Sequence, residues 1–241
     1  MVEPCIQVQQ LTKKFSKRTV LQNISLDIPH AKITGLLGPS GAGKTTLIKL
    51  IAGMDTPDRG KIHVLSTKMP SLNIVKRLGY MAQSDALYTE LTAYDNLDFF
   101  AQLYGLKGKT KKQRINEVME LVDLTSDLRK KVSKYSGGMK RRLSLAIALV
   151  HQPEVLLLDE PTVGIDPVLR QSIWSELELL SKQGTTIIVT THVMDEAEKC
   201  HQLAMLRDGE IIAFDTPNQL MKATEKSSIE DAFLYYGGAK A

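Results

Sequence analysis

Cysteine is almost absent from this 241-residue chain: Cys5 and Cys200 are the only two, far apart and without metal-ligand spacing. That excludes a disulfide-stapled scaffold and a zinc ribbon, and it reads as two reduced, structurally incidental thiols. Long hydrophobic runs are missing too; nothing approaches the roughly 20 apolar residues that a membrane-spanning helix needs. The amino end, MVEPCIQVQQ, has an early acid and a proline where a secretory signal needs an apolar core. The expectation is a chain that stays inside the cell unless another component carries it. A large excess of one sign of charge is also missing, with 31 Lys and Arg against 27 Asp and Glu. A net charge of +4 suits phosphate ligands or an anionic membrane surface, but it is too small and too dispersed to argue for nucleic acid. No internal repeat or low-complexity segment occurs, and the length allows one large domain or two small ones with a substantial core.

What is present begins with Gly38-Pro39-Ser40-Gly41-Ala42-Gly43-Lys44-Thr45-Thr46, preceded by the apolar run Ile33 to Leu37 and followed by Leu47 to Ala52. That is strand, glycine loop, helix, with the P-loop spacing whose backbone N–H groups wrap a phosphate chain. Glycines accept the dihedrals the loop needs and let the main chain approach oxygens that a Cβ would block. The helix start adds oriented donors and the positive end of a dipole. In this reading Lys44 reaches the β- and γ-phosphates, and Thr45 offers its hydroxyl to Mg²⁺.

Ahead of the loop, Ile6 to Val8 and Ile24 to Ile28 alternate like strands of an antiparallel edge sheet. Between them lies Phe15, the only aromatic residue before the loop, which is either a platform for an adenine ring or a core aromatic. Beyond it, Leu78 to Ala82 reads as a short buried strand delivering Gln83 at its carboxyl end, where ligands of parallel sheets sit. The amide of Gln83 could complete a Mg²⁺ shell or touch an attacking water, or belong to an ordinary loop.

From about residue 84 to 150 the texture becomes helical. Thr92 with Asp95 forms a capping box; Thr110 with Gln113 opens a second helix after a basic, solvated linker from Lys107 to Lys112. At the end of this block Tyr135-Ser136-Gly137-Gly138-Met139 precedes another helix. Serine and two glycines at a helix start form a second anion-binding arrangement, or a plain capped N-terminus.

Val155 to Leu158 is then an unbroken apolar strand that ends in Asp159 and Glu160. Two acids at the end of a central strand are costly unless they meet a cation or do chemistry. Asp159 is placed to hold Mg²⁺, and Glu160 to accept a proton from water attacking a γ-phosphate. A turn at Asp166 opens a further helix, and the strand Thr186 to Thr190 leads to His192, which could contact the γ-phosphate or be structural. A hairpin with an Asp208-Gly209 turn and short tail helices complete the chain.

In this order the motifs resemble the nucleotide-binding subunit of an ATP-binding cassette (ABC) transporter, over essentially the whole chain. The resemblance implies one α/β domain: a P-loop NTPase core with a mostly parallel sheet (about 1–83 and 153–215), an N-terminal antiparallel β-subdomain, an inserted α-helical subdomain (about 84–152) and a helical tail (about 216–241). It also implies ATP and Mg²⁺ as ligands, Phe15 as the adenine platform, and catalytic roles for Lys44, Gln83, Glu160 and His192. Mg²⁺ would be held by Thr45, Gln83 and Asp159. ATP held by one subunit's loop would be covered by Ser136, Gly137 and Gly138 of a second, with Asp166 at the seam. A separate transmembrane permease would be the further partner, with this chain cytoplasmic and peripherally associated with the inner face of the cell membrane. Tyr135 and Met139 depart from the commoner Leu and Gln, and with Lys140, Arg141 and Arg142 after them they look like the exporting branch for drugs, antibiotics and polysaccharides. Val163-Gly164-Ile165 likewise replaces Ser-Ala-Leu. A soluble cassette ATPase acting on ribosomes or nucleic acid is the alternative reading.

Overall fold

The computed structural model describes residues 3–84 and 86–238. In chain order, β1 (Ile6–Phe15) and β2 (Arg18–Ile28) form a hairpin, followed by β3 (Ile33–Leu37), α1 (Lys44–Ile51), β4 (Arg59–Val64), β5 (Thr67–Lys68), α2 (Leu72–Val75) and β6 (Leu78–Met81). Three longer helices come next: α3 (Ala93–Leu103), α4 (Gly108–Leu121) and α5 (Gly137–Leu149). The chain then returns to the sheet with β7 (Val155–Asp159), α6 (Pro167–Lys182), β8 (Thr186–Thr191), α7 (Met194–Ala197), β9 (Gln202–Arg207) and β10 (Glu210–Asp215), and ends in α8 (Pro217–Thr224) and α9 (Ile229–Tyr236). Among the described residues no helix is long and apolar enough to cross a membrane.

Two sheets result. A four-stranded antiparallel sheet has the order β2-β1-β4-β5, and a six-stranded sheet runs β10-β9-β3-β8-β7-β6. In the larger sheet every pairing from β9 to β6 is parallel, and only β10 is antiparallel. Parallel strands with both faces covered need no polar alternation, which is why β3, β7 and β8 are buried at every position. Their side chains divide by parity. Leu157 and Ile188 join α1 and the small sheet in one core, while Leu156, Leu158, Ile187 and Val189 join α3 to α6 in another. Each fully buried Leu or Ile of this kind contributes about 1.5–3 kcal/mol. Cys5 and Cys200 are buried and unpaired within these cores.

The helical block departs from expectation at one point. α4 starts at Gly108 with Lys107 as its N-cap, so Lys109, Lys111 and Lys112 belong to the helix and Thr110 is not its cap. Tertiary contact explains this: Lys111 reaches back to Asp98 of α3 at 2.5 Å, and lysine tolerates a helix well. The Thr92–Asp95 capping box of α3 is formed, and Ile115, Val118, Met119 and Val122 all point into the core. β1 is also longer than its alternation suggests, because register shifts and a left-handed Gln10 carry the strand past Val8 to Phe15.

His151, just past α5, binds the block to the sheet. Its ring stacks on Tyr104 with centroids 3.6 Å apart, and Nε2 lies 2.9 Å from the Leu78 carbonyl oxygen. Burial pushes its pKa from 6.5 down to about 4; the hydrogen bond to Leu78 acts against the shift and the nearby Arg114 charge with it. The unfolded chain therefore takes up this proton at a higher pH than the native one does, and stability falls as pH drops from 6.5 to about 4. The expected contribution is up to about 3 kcal/mol. In urea melts at pH 7 and pH 4.5, His151→Phe, which keeps the stack, should lose less stability across that interval than wild type. Equal losses would contradict this account.

Candidate active site

Strand register decides where the chemistry collects. Leu37 of β3 pairs with Thr191 of β8, Asp159 of β7 with Thr190, and Met81 of β6 with Leu158. Counting outward, Leu37, Thr191, Glu160 and Gln83 lie level, with Gly38 and His192 one step beyond. Four parallel strands thus end together and deliver the glycine loop, the histidine, the second acid and the amide to one edge, the carboxyl edge where ligands of such sheets bind.

A cleft of about 400 Å³ opens there, lined by Ser40, Gly41, Gly43, Lys44, Thr45 and Thr46 of the loop, by Gln83 and Glu160, and by Arg18 and Val20 of β2. Gly38 admits no side chain, since a Cβ would stand 2.2 Å from the Leu206 carbonyl oxygen. Gly43 caps α1 at φ +107°, a conformation open mainly to glycine. Ala42 is buried behind the loop, and Pro39 and Ser40 are exposed on it. Lys44 is only 5% exposed, and its ammonium donates to the carbonyls of Gly38 at 2.7 Å and Pro39 at 3.1 Å. Burial lowers its pKa, and the Glu160 and Asp159 charges act to raise it.

Asp159 is 1% exposed. Its Oδ1 accepts from Thr190 Oγ1 at 2.6 Å, while Oδ2 is buried with no hydrogen-bond partner among the described residues. Such an oxygen is costly unless a cation meets it. Glu160 sits in the left-handed region at φ +52°, held by its N–H donating to Thr190 Oγ1 at 2.9 Å. His192 Nδ1 lies 3.2 Å from Glu160 Oε1. A carboxylate fixed beside an imidazole at the mouth of a phosphate-sized cleft is suited to orienting water and taking its proton.

Ser136, Gly137 and Gly138 are elsewhere. They start α5, with Ser136 Oγ accepting from Met139 N at 3.2 Å, and they do not line the cleft. Asp166 is the exposed N-cap of α6 and also lies apart from it. Phe15 is half exposed, with Lys13 Nζ 5.1 Å from its ring centre, so it is no core aromatic. It pairs across the hairpin with Arg18, which lines the cleft.

Besides Arg18 and Val20 of the cleft wall, two buried groups near the site have no role in the sequence reading. Glu196 of α7, 2% exposed, accepts from Thr162 Oγ1 and from Thr191 Oγ1 at 2.7 Å, tying the turn after Glu160 to the strand end before His192. Arg141, taken with its neighbours as a basic run, is 6% exposed and points inward. Its signal was available: Arg141 shares a helix face with the buried Leu145 and Ala148.

Residues 21–163 match the ABC transporter family model, and the chain belongs to that family. Over 239 residues it is 39% identical to the probable multidrug ABC transporter ATP-binding protein YbhF of Escherichia coli, covering 96% of this chain and 41% of that one. It is 40% identical over 221 residues to the Nod factor export ATP-binding protein I of Burkholderia pseudomallei, covering 90% and 73% of the two chains. The fold superposes on the dimeric bacterial ABC transporter cassette MJ0796 with a TM-score of 0.82 at 26% identity, over 88% of this chain and 98% of that one. A second structure of that cassette is a dimeric post-hydrolysis state bound to ADP and phosphate. Lys44→Ala is expected to weaken ATP binding roughly 10- to 100-fold, the worth of a charge-assisted hydrogen bond. Titration calorimetry returning the wild-type affinity would contradict the cradle.

Proposed function

We propose that this chain is the ATP-binding and ATP-hydrolysing subunit of an export transporter, working as a pair at the inner face of the cell membrane with a separate membrane-spanning permease. One observation carries the reading. A phosphate cradle and Glu160 line one cleft, a buried acid with an unmatched oxygen and a histidine beside Glu160 stand at the same sheet edge, and a second serine-glycine helix start lies outside the cleft. A single protomer encloses a phosphate chain on one side only. A second copy placing Ser136, Gly137 and Gly138 over the first copy's cleft completes the cage, with Asp166 at the seam. The dimeric cassette to which the fold is similar supports this arrangement.

In this reading the chain is one ATPase domain, with its sheet core at about 1–83 and 153–215, the helical subdomain at about 84–152 and the tail at about 216–241. Phe15 stacks on the adenine. The loop from Gly38 to Thr46 binds the phosphates, with Lys44 turning from its loop carbonyls to the β- and γ-phosphate oxygens. Thr45, Gln83 and Asp159 would hold Mg²⁺, and the partnerless Asp159 Oδ2 fits that task. Bound Mg²⁺ supplies neutralisation of charge on the phosphate oxygens. Glu160 takes the proton of the attacking water, and His192, within reach of Glu160, contacts the γ-phosphate. Loss of the γ-phosphate removes contacts to both protomers and loosens the pair, a population shift passed to the permease. Relatives named for multidrug transport and Nod factor export support the outward direction.

Glu160→Gln should slow hydrolysis by roughly 10²- to 10⁴-fold, the worth of a general base, and leave ATP binding intact. Steady-state turnover equal to wild type would refute the assignment.

A further inference from the structure

Arg141 lies one helical turn past Gly137, on the helix that begins with the covering motif. Its guanidinium faces the other way, into the protomer's own site. Nη1 donates to the carbonyls of Ala82 at 2.6 Å and Gln83 at 2.9 Å, and Nη2 donates to those of Asp159 and of Glu160 at 2.7 Å. These four oxygens belong to the ends of the neighbouring strands β6 and β7, and they bracket the amide and both acids of the cleft. A rigid planar fork can span two pairs of carbonyls; a lysine ammonium has three donors at one point and cannot.

We propose that Arg141 is a positioning residue that links the two nucleotide sites of the pair. It ties the backbone that aims Gln83 and Glu160 in one site to the helix whose start covers the nucleotide of the other. α5 is a continuous helix from Gly137 to Leu149, so a change in its tilt as Ser136 meets a phosphate moves Arg141, and with it the Asp159 and Glu160 carbonyls of the same chain. Each site then senses whether its neighbour is closed. The inference rests on the proposed pairing and adds to it that the sites are coupled through this side chain.

The test uses mixed pairs, purified through two different tags, in which one protomer carries Glu160→Gln so that only the other turns over. Arg141→Lys is placed either on the protomer with intact Glu160 or on the one whose Ser136 to Gly138 covers that active site. Single-turnover hydrolysis should fall roughly 10- to 100-fold in both placements, as expected when reacting groups are misaligned by about 1 Å. ATP affinity and melting temperature of the variant chain should stay near wild type. Loss in one placement only, or in neither, overturns the link, because a local structural role does not act across the seam. Arg141→Gln, which keeps donors for one carbonyl pair, replaces the lysine variant should that fail to fold, with the same outcomes deciding. A wild-type chain that neither pairs nor hydrolyses ATP sinks the functional reading itself, whereas an active wild-type pair indifferent to Arg141 sinks only the link.

Discussion

Strand ends that finish level with one another are the constraint on which this molecule depends. A phosphate chain carries several charges within a few ångströms, and groups that act on it must stand within hydrogen-bond reach of one small volume. The pairings of β3 with β8, β8 with β7 and β7 with β6 provide that volume without any long-range adjustment, since a register slip of one residue would turn each end away from it. Leu156 and Leu158 face one core and Val155 and Leu157 the other, and the register is marked at the strand end, where a slip of one residue would take the buried Asp159 off its Thr190 partner.

The same edge concentrates charge. Lys44, Asp159 and Glu160 act on one another's fields in a largely buried setting, and their stability there comes from main-chain and hydroxyl partners. Thr190 is central to this, because its single hydroxyl donates to Asp159 and accepts from the Glu160 N–H, fixing two acids at once. Glu160 holds a left-handed backbone that costs energy in a non-glycine residue, and strain of this kind collects where orientation matters. Arg141 approaches the same residues from the carbonyl side, so donors and acceptors of the main chain at Asp159 and Glu160 are both occupied.

Much of this was legible in the sequence because local pattern and chemistry coincide. The glycine loop between an apolar strand and an apolar helix, the uninterrupted run before Asp159 and the Asp208-Gly209 hairpin each carry their own geometric requirement, and each forms. What stayed hidden depends on contacts between distant segments. Lys111 gives no sign in the sequence that Asp98 would hold it, so the cap of α4 lies three residues before the Thr110 that the sequence offers. Arg18 and Val20 reach the cleft only because the β1–β2 hairpin folds beside it. Glu196 lies in a four-residue helix too short to display a periodicity, and its burial follows from Thr162 and Thr191 arriving from elsewhere. Arg141 carries two opposed signals: a charge favours solvent, while its spacing from Leu145 and Ala148 points to the interior, and it is buried.

The central claim is that nucleotide joins two copies because one copy cannot enclose it. Sedimentation velocity of the Glu160→Gln chain with saturating Mg²⁺ and ATP tests this most directly. The account predicts that the 26.8 kDa species doubles in mass and returns to monomer when nucleotide is removed. A chain that binds nucleotide yet stays monomeric, even beside the proposed membrane subunit, would contradict it.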